Sequence, residues 1–251
     1  MEPTGIEVKS LSVAAGDRQI LRNVDARLAV GQLLAVLGPN GSGKSTLLRV
    51  LAGLPLEPPL KISSESRRVG VGALTAWIGN IPELAFPLSV GDLVAMGRIG
   101  RENNKDRDEA AIVAALERVD ALHLRKRDFS TLSGGEKQRA VLARALAQEA
   151  KTLLLDEAFA ALDIRYQADL GRLLQTLVNE NGYAIAMVCH DFNFASHWAT
   201  HALLLRDGQA LASGAAASVF TTENIQLLYP GLRWTEGRHP VTRRLQICFR
   251  D

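Results

Sequence analysis

The stretch GPNGSGKS at residues 38–45 has the residue types and spacing of a phosphate-binding loop. Its glycines allow backbone N–H groups to surround phosphate oxygens, Lys44 can reach the outer phosphates, and the Ser45 hydroxyl suits Mg²⁺. A Gly-rich turn that only joins a strand to a helix is the alternative. The pattern predicts a nucleoside triphosphate site formed by Gly38, Pro39, Asn40, Gly41, Ser42, Gly43, Lys44, Ser45 and Thr46.

This loop needs a strand before it and a helix after it. The apolar run Leu33–Leu37 predicts a buried strand, and we expect a helix from Ser45 onward. The amino-terminal end of a helix has free N–H groups and a partial positive charge, so it favours an anion at this position.

A second helix start, LSGGEKQR at residues 132–139, has similar chemistry. Ser133 can cap the helix, while Gly134 and Gly135 leave its first N–H groups uncovered. The Ala/Leu/Arg-rich pattern at 136–148 predicts that the helix continues. Taken alone, this segment is also compatible with an ordinary helix start.

Two further apolar runs end in residues able to do chemistry. Residues 153–155 precede Asp156 and Glu157, and residues 185–188 precede Cys189 and His190. Alone, Glu157 would be interpreted as a helix-capping or ion-paired acid and His190 as a buried neutral imidazole.

Together these motifs, in this order, resemble the ABC ATPase family from about residue 8 to about residue 229. LSGGE resembles the family's signature, residues 153–157 its Walker B strand, Asp163 in ALD its D-loop, and His190 in CHD its switch histidine. The resemblance implies an α/β fold, with a P-loop NTPase (ABC ATPase) core, an antiparallel β-subdomain and an inserted α-helical subdomain.

By the same resemblance, the whole chain, residues 1–251, is a single cassette. The core with its antiparallel β-subdomain is expected over about 1–80 and 146–230. The helical subdomain with the signature is expected over about 81–145, and a C-terminal tail over 231–251.

Local patterns agree with this division. Strand-like segments occur at 6–13 and 20–28, and a helical pattern occurs at about 84–128. The charge run 101–109 predicts a solvated turn, and residues 63–68 an exposed loop. Asp207 and Gly208 predict a hairpin turn after an apolar strand at 202–205.

The resemblance also implies a mechanism. Lys44 and the amides of 41–46 would hold the β- and γ-phosphates of ATP, while Ser45 and Asp156 hold Mg²⁺. Glu157 would orient or polarise the attacking water, and His190 would contact the γ-phosphate. ATP would lie between two copies of the chain, covered by the other copy's signature residues Ser133, Gly134, Gly135 and Glu136, with Asp163 in the D-loop.

Three departures from the family pattern affect this interpretation. Asn80 stands where the family has a glutamine that reaches Mg²⁺, and its side chain is one methylene shorter. Ala14 and Ala15 replace the aromatic that stacks on adenine, which removes about 0.5 to 1.5 kcal/mol by analogy with aromatic pairs. Residues 158–160 also differ from the family pattern.

Bulk properties limit the class of protein. The 251 residues are 47% hydrophobic and 22% charged, which is an ordinary globular composition. We expect no membrane-spanning helix and no signal segment. The two cysteines are expected in the core of a cytosolic protein. A net charge of +2 gives no reason to expect a nucleic acid partner. The five arginines within 231–251 favour a solvated terminal strand, with contact to an anionic surface as the alternative.

Finer likeness indicates a function. Residues 84–90, 94–98, 162–167 and 219–224 resemble the ATPases of importers for iron-siderophores, haem and vitamin B12. This implies a homodimer on the inner face of the cell membrane, bound to permease subunits and serving an extracytoplasmic binding protein. Phe86 and Pro87 would receive the permease or simply pack within their subdomain.

Two alternatives remain open from the sequence. One is a soluble ABC ATPase of translation or DNA maintenance, although the single contiguous cassette shows neither a tandem pair nor a coiled-coil insertion. The other is a module that binds ATP but hydrolyses it weakly, because of Asn80 and the missing aromatic.

Overall fold

The computed structural model describes residues 5–56, 60–69, 75–79, 81, 86–101, 104–156 and 164–249. Its strands are β1 (Gly5–Ala15), β2 (Arg18–Ala29), β3 (Leu33–Leu37), β4 (Lys61–Ser63), β5 (Ser66–Val69), β6 (Thr75–Ile78), β7 (Thr152–Asp156), β8 (Ala184–Val188), β9 (His201–Arg206), β10 (Gln209–Ala215), β11 (Trp234–Arg238) and β12 (Leu245–Phe249). Its helices are α1 (Lys44–Ala52), α2 (Val90–Ala95), α3 (Lys105–Arg118), α4 (Gly134–Ala147), α5 (Ile164–Asn179), α6 (Phe192–Trp198), α7 (Ala216–Val219) and α8 (Thr222–Leu228).

A six-stranded sheet in the order β10-β9-β3-β8-β7-β6 forms the centre of the molecule. Its strands are parallel except β10, and the apolar runs predicted as strands before the candidate site residues are β3, β7 and β8. Side chains alternate between two cores: Leu33 and Leu37 join one, and Leu34 joins the other. Because both faces are buried, these strands are apolar throughout.

A second, antiparallel sheet packs beside α1 and one face of the central sheet. It contains β2, β1 and β4 in that order, with β5 also paired to β1. The predicted exposed loop at 63–68 is therefore wrong, since most of it lies in β4 and β5. The backbone bonds offered by the long strand β1 outweigh the polar composition of this segment.

The predicted helical stretch forms α2 and α3. Residues 105–109 belong to α3 and do not form the predicted solvated turn. Asn104 caps the helix by accepting a hydrogen bond from the Arg107 N–H at 3.0 Å, and Asp106 and Asp108 lie in its first turn, where acids are favoured. Within the described ranges, no helix is both long and apolar enough to cross a membrane.

Buried Arg98 fixes these helices to the end of α4. Its guanidinium donates to Asp108 Oδ1 at 2.7 Å and to Glu149 Oε2 at 2.8 Å. The hydrogen bond from Arg98 holds the pKa of Glu149 below its ordinary value. Arg98 thus joins the start of α3 to the end of α4 through two ion pairs, and Arg107 of α3 adds a third, to Glu149, at 3.4 Å.

The Asp207–Gly208 hairpin turn is confirmed between β9 and β10. Both residues have positive φ angles, 51° and 77°, as a tight turn between twisted antiparallel strands requires.

The C-terminal segment is a hairpin, β11–β12, rather than a solvated terminal strand, and its Leu245 and Ile247 are buried. Asn193 of α6 donates to the Ile247 carbonyl at 3.0 Å and accepts from the Ile247 N–H at 2.8 Å. Cys248 on this hairpin is exposed, contrary to the prediction of a core cysteine, whereas burial raises the pKa of Cys189 to about 12.

Candidate nucleotide site

Three segments that carry candidate site residues meet at one edge of the central sheet. The phosphate-binding loop follows β3, Asp156 ends β7 and His190 follows β8, which lies between those two strands. Because the three strands are parallel, their carboxyl ends lie side by side, where α/β proteins bind ligands.

Lys44 is held inside the loop. It is only 5% exposed, and its ammonium donates to the Gly38 carbonyl at 2.9 Å and the Pro39 carbonyl at 3.0 Å. It is also the first residue of α1, one position earlier than predicted, and the first turn of α1 contains no acid. A buried cation and an uncovered helix end thus favour an anion at this position.

Gly43 allows the loop to pack tightly against β2. Its φ is 100°, and a Cβ added there would lie 2.5 Å from Leu21 Cδ2 and 3.0 Å from the Ile20 carbonyl oxygen. A larger residue would push the loop away from β2. The glycine therefore fixes the loop relative to the antiparallel sheet.

Ser45 and Asp156 provide oxygen ligands at adjacent positions. The Ser45 hydroxyl donates to Asp156 Oδ1 at 2.8 Å, and both residues are half-buried. Mg²⁺ binds through one or two carboxylates together with hydroxyl, water and phosphate oxygens. This pair fits Mg²⁺, whereas Asn80, the third candidate ligand, lies outside the described residues.

Two cavities open on the phosphate-binding loop. One, of about 450 Å³, is lined by Ala15, Arg18, Ile20, Asn40, Gly41, Gly43, Lys44, Ser45 and Thr46. The other, of about 560 Å³, has Gly38, Pro39 and Asn40 in its wall together with His190. The structure thus brings His190 to the loop, and its exposure argues against the alternative of a buried side chain.

Arg18 and Ile20 are part of this site although no sequence motif marks them. They lie two positions apart on β2, so their side chains share a face. The Gly16–Asp17 turn between the two predicted strands is the feature from which their position could have been deduced.

The predicted signature segment forms a closed capping box. The Ser133 N–H and hydroxyl each donate to Glu136 Oε2 at 2.8 Å, and the Glu136 N–H donates back to the hydroxyl at 3.4 Å. The two bonds that the Ser133 N–H and hydroxyl donate hold the pKa of the Glu136 carboxyl below its ordinary value. Ser133 and Gly134 remain exposed, while Glu136 also pairs with Arg127.

Tyr166 of α5 covers the next signature residue. A Cβ on Gly135 would lie 3.0 Å from the Tyr166 ring, and the Arg139 guanidinium carbon is 5.1 Å from the centre of that ring. No residue of 133–136 lines the cavity that contains Lys44, as far as the described residues go. One chain does not bring these two regions together, and Glu157 and Asp163 lie outside the described part.

The fold and the phosphate-binding loop define a P-loop nucleotide-binding protein. The ABC transporter family model matches residues 21–160, and the chain belongs to that family. It is an ATP-binding subunit, and the activity of such subunits is ATP hydrolysis coupled to transport.

Two relatives match along most of their length. The hemin import ATP-binding protein HmuV of Escherichia coli O157:H7 is 37% identical over 244 residues, which cover 89% of this chain and 91% of that protein. The ferric enterobactin transport ATP-binding protein FepC of Escherichia coli K12 is 36% identical over 241 residues, covering 90% and 86%.

Two solved structures have the same overall fold as this chain. A chain of a transporter described as metal-chelate type, in an inward-facing conformation, superposes with a TM-score of 0.81 at 30% identity, covering 98% of this chain and 96% of that one. The ATP-binding cassette MJ1267 in its ADP conformation gives a TM-score of 0.77 at 21% identity, covering 92% and 99%. At that identity the second match supports the fold alone.

Proposed function

We propose that this chain is the ATP-hydrolysing subunit of an importer for a metal chelate of the iron-siderophore, haem or cobalamin class. The observation that carries the proposal is the near full-length similarity to two import ATPases, HmuV and FepC. The buried cation of Lys44 and the uncapped start of α1 in the phosphate-binding loop support the chemistry. The division into a core, a helical subdomain over about 81–145 and a tail is part of the same proposal.

In the proposed mechanism, the loop residues 38–46 bind and position the phosphates. Lys44 and the N–H groups at the start of α1 neutralise the charge on the outer phosphates, which is the main contribution that a protein makes to phosphoryl transfer.

Ser45 and Asp156 would hold Mg²⁺, with Asn80 as a further ligand directly or through water. The bound ion would supply positive charge to the phosphate oxygens. Glu157 follows Asp156 directly in sequence and would orient the attacking water. His190 would contact the terminal phosphate from across the loop.

The second copy of the chain would complete the site. The N–H groups of Gly134 and Gly135 belong to the first turn of α4 and would meet a phosphate held by the partner's loop. Asp163 would act at the same interface. The capping box holds Ser133 and Glu136 in position for this contact.

The permease would bind near α2, where several apolar side chains are solvent-accessible. Phe86 is 59% exposed, Met96 39% and Ile99 81%. Such exposure is typical of a surface that is covered in an assembly. The chain would then be peripheral on the cytoplasmic face of the membrane and would serve an extracytoplasmic binding protein through the permease. We propose no nucleic acid partner.

The test is Mg²⁺-dependent ATP hydrolysis by the purified chain over a range of protein concentrations, with Glu157→Gln beside the wild type. We expect a rate that rises faster than linearly and is lost in the variant, while ATP binding is kept. A Glu157→Gln protein as fast as the wild type would contradict this mechanism.

The transport role is tested separately by purifying the chain with its permease. Stable association and stimulation of hydrolysis by that permease are expected. Purification with a ribosome or with DNA instead would favour the soluble, non-transport ATPase. ATP binding without hydrolysis, even with the permease present, would favour the weakly hydrolysing module.

A further inference from the structure

The β1–β2 hairpin ends at the mouth of the nucleotide cavity. Ala15 and Arg18 are directly opposite each other across its turn, so their side chains lie on one face of the hairpin. Both line the cavity that contains Lys44. Because Ala15 is small, the space beside it is open to the longer Arg18 side chain.

This end of the hairpin is held from two sides. On one side, the Ile20 carbonyl oxygen and the Leu21 side chain lie so close to Gly43 of the phosphate-binding loop that they leave no room for a Cβ there. The Arg22 N–H donates to the Gly208 carbonyl in the β9–β10 turn at 2.7 Å. Arg18, two residues before Ile20, is therefore carried on backbone whose distance from the loop is fixed.

Arg18 has a charge that no acid neutralises at close range in the described part of the chain. Its side chain is exposed at the cavity wall. A guanidinium is flat and weakly hydrated, and it stacks on aromatic rings and nucleobases. The half-buried Ile20 adds apolar surface on the same face.

We propose that the Arg18 guanidinium is the platform on which the base of the bound nucleotide stacks, a role that Ala14 and Ala15 cannot perform. The inference rests on the proposed function, because it assigns a residue of the same ATP site. Stacking contacts the face of a base and not its edge. The site therefore favours purines over pyrimidines and discriminates poorly between ATP and GTP.

The test measures the dissociation constants of ATP, CTP and inorganic tripolyphosphate by calorimetry on the full chain. Tripolyphosphate has no base, so it separates stacking from attraction of the phosphates. The variants are Arg18→Ala, Arg18→Lys, which keeps the charge but loses the flat group, and Arg18→Tyr, which supplies a ring. Arg27→Ala, at an exposed position near the other end of β2, is the matched control.

Arg18→Ala is expected to weaken ATP binding about 5- to 30-fold while leaving tripolyphosphate within about twofold. Arg18→Lys should lose most of the same affinity, Arg18→Tyr should keep it within about threefold, and Arg27→Ala should match the wild type. The proposal that Arg18 stacks on the base would be contradicted by unchanged ATP affinity in Arg18→Ala, or by equal losses of affinity for ATP and tripolyphosphate. A wild-type chain that binds no ATP would instead overturn the proposed function.

Discussion

The phosphate-binding loop and the signature segment are both helix starts rich in glycine, yet they are built differently. At the loop, the cation of Lys44 is buried and points at carbonyls of its own loop, and Gly43 packs against β2. At the signature, Ser133 and Gly134 are exposed, and the acid of Glu136 is engaged by Ser133 and Arg127.

The two regions therefore differ in whether they need a second copy of the chain to contact the nucleotide. The first combines a buried cation with an uncapped helix start inside one chain, and a cavity of about 450 Å³ lies beside it. The second is a helix start closed by a capping box, and none of residues 133–136 is among the described residues that line that cavity. A single chain should therefore bind the nucleotide through its loop alone, and the signature should matter only when a second copy is present.

The largest effect is expected at the loop, from Lys44→Met. The substitution keeps an apolar stem in a buried position but removes the positive charge that we propose neutralises the phosphates, so ATP binding should weaken by about 100-fold or more. Calorimetric titration with ATP measures this. Lys61→Met, at an exposed position, is the control, and a Lys44→Met protein with wild-type affinity would contradict the assignment.

A smaller effect is expected at the signature, from Gly134→Ala. Apart from its chain neighbours and its own helix, no atom of the described residues lies within 4 Å of the added methyl group, so the monomer should fold and bind ATP as before. Hydrolysis should nevertheless fall about tenfold, because the methyl group obstructs the helix start that meets the partner's nucleotide. Measuring both the steady-state rate of hydrolysis and the affinity for ATP separates an effect on catalysis from an effect on binding. Equal losses in rate and affinity would contradict the proposed difference between the loop and the signature.

Gly135→Ala should act on stability instead. The added Cβ would lie 3.0 Å from the Tyr166 ring, so the free energy of unfolding should fall by about 1 to 2 kcal/mol. Denaturant unfolding measures this. The loss should be smaller when the same substitution is made in a Tyr166→Ala protein, and an undiminished loss would show that the ring is not its cause.

The smallest effect concerns pH and the capping box. The pKa of Glu136 is lowered in the folded protein by hydrogen bonds from Ser133, so its stabilisation is present above the unfolded value of 4.5 and is lost as the pH falls through the folded pKa. The stability advantage of wild type over Glu136→Gln should therefore shrink in acid. Thermal unfolding from pH 7 to pH 3 tests this, and a constant difference would contradict it.

The parts of the fold governed by local rules could be predicted from sequence. The strand Leu33–Leu37 and the turn at Asp207 and Gly208 follow from apolar runs and turn chemistry. The start of α3 inside a charge run required knowing that Asn104 caps it, and β4 and β5 exist because β1 offers them an edge.

The residues of the candidate site also fall into those that local sequence identifies and those that it does not. Lys44 and Ser45 are recognised by their spacing within the loop motif, and the structure pairs them with loop carbonyls and with Asp156 at the end of β7. Arg18 and Tyr166 come close to the site only through tertiary packing across distant segments. Motif spacing does not reveal such contacts, although the Gly16–Asp17 turn does place Arg18 at the end of a hairpin.

The contact between α6 and the C-terminal hairpin has a consequence for local unfolding. A two-stranded hairpin and a seven-residue helix are each marginal alone. Asn193 bonds both backbone groups of Ile247, and Arg244 donates to carbonyls of residues 196, 197 and 199. The two elements should therefore unfold locally as one cooperative unit. Amide hydrogens in α6, which begins two residues after His190, should then exchange with solvent at the same rate as those in β12.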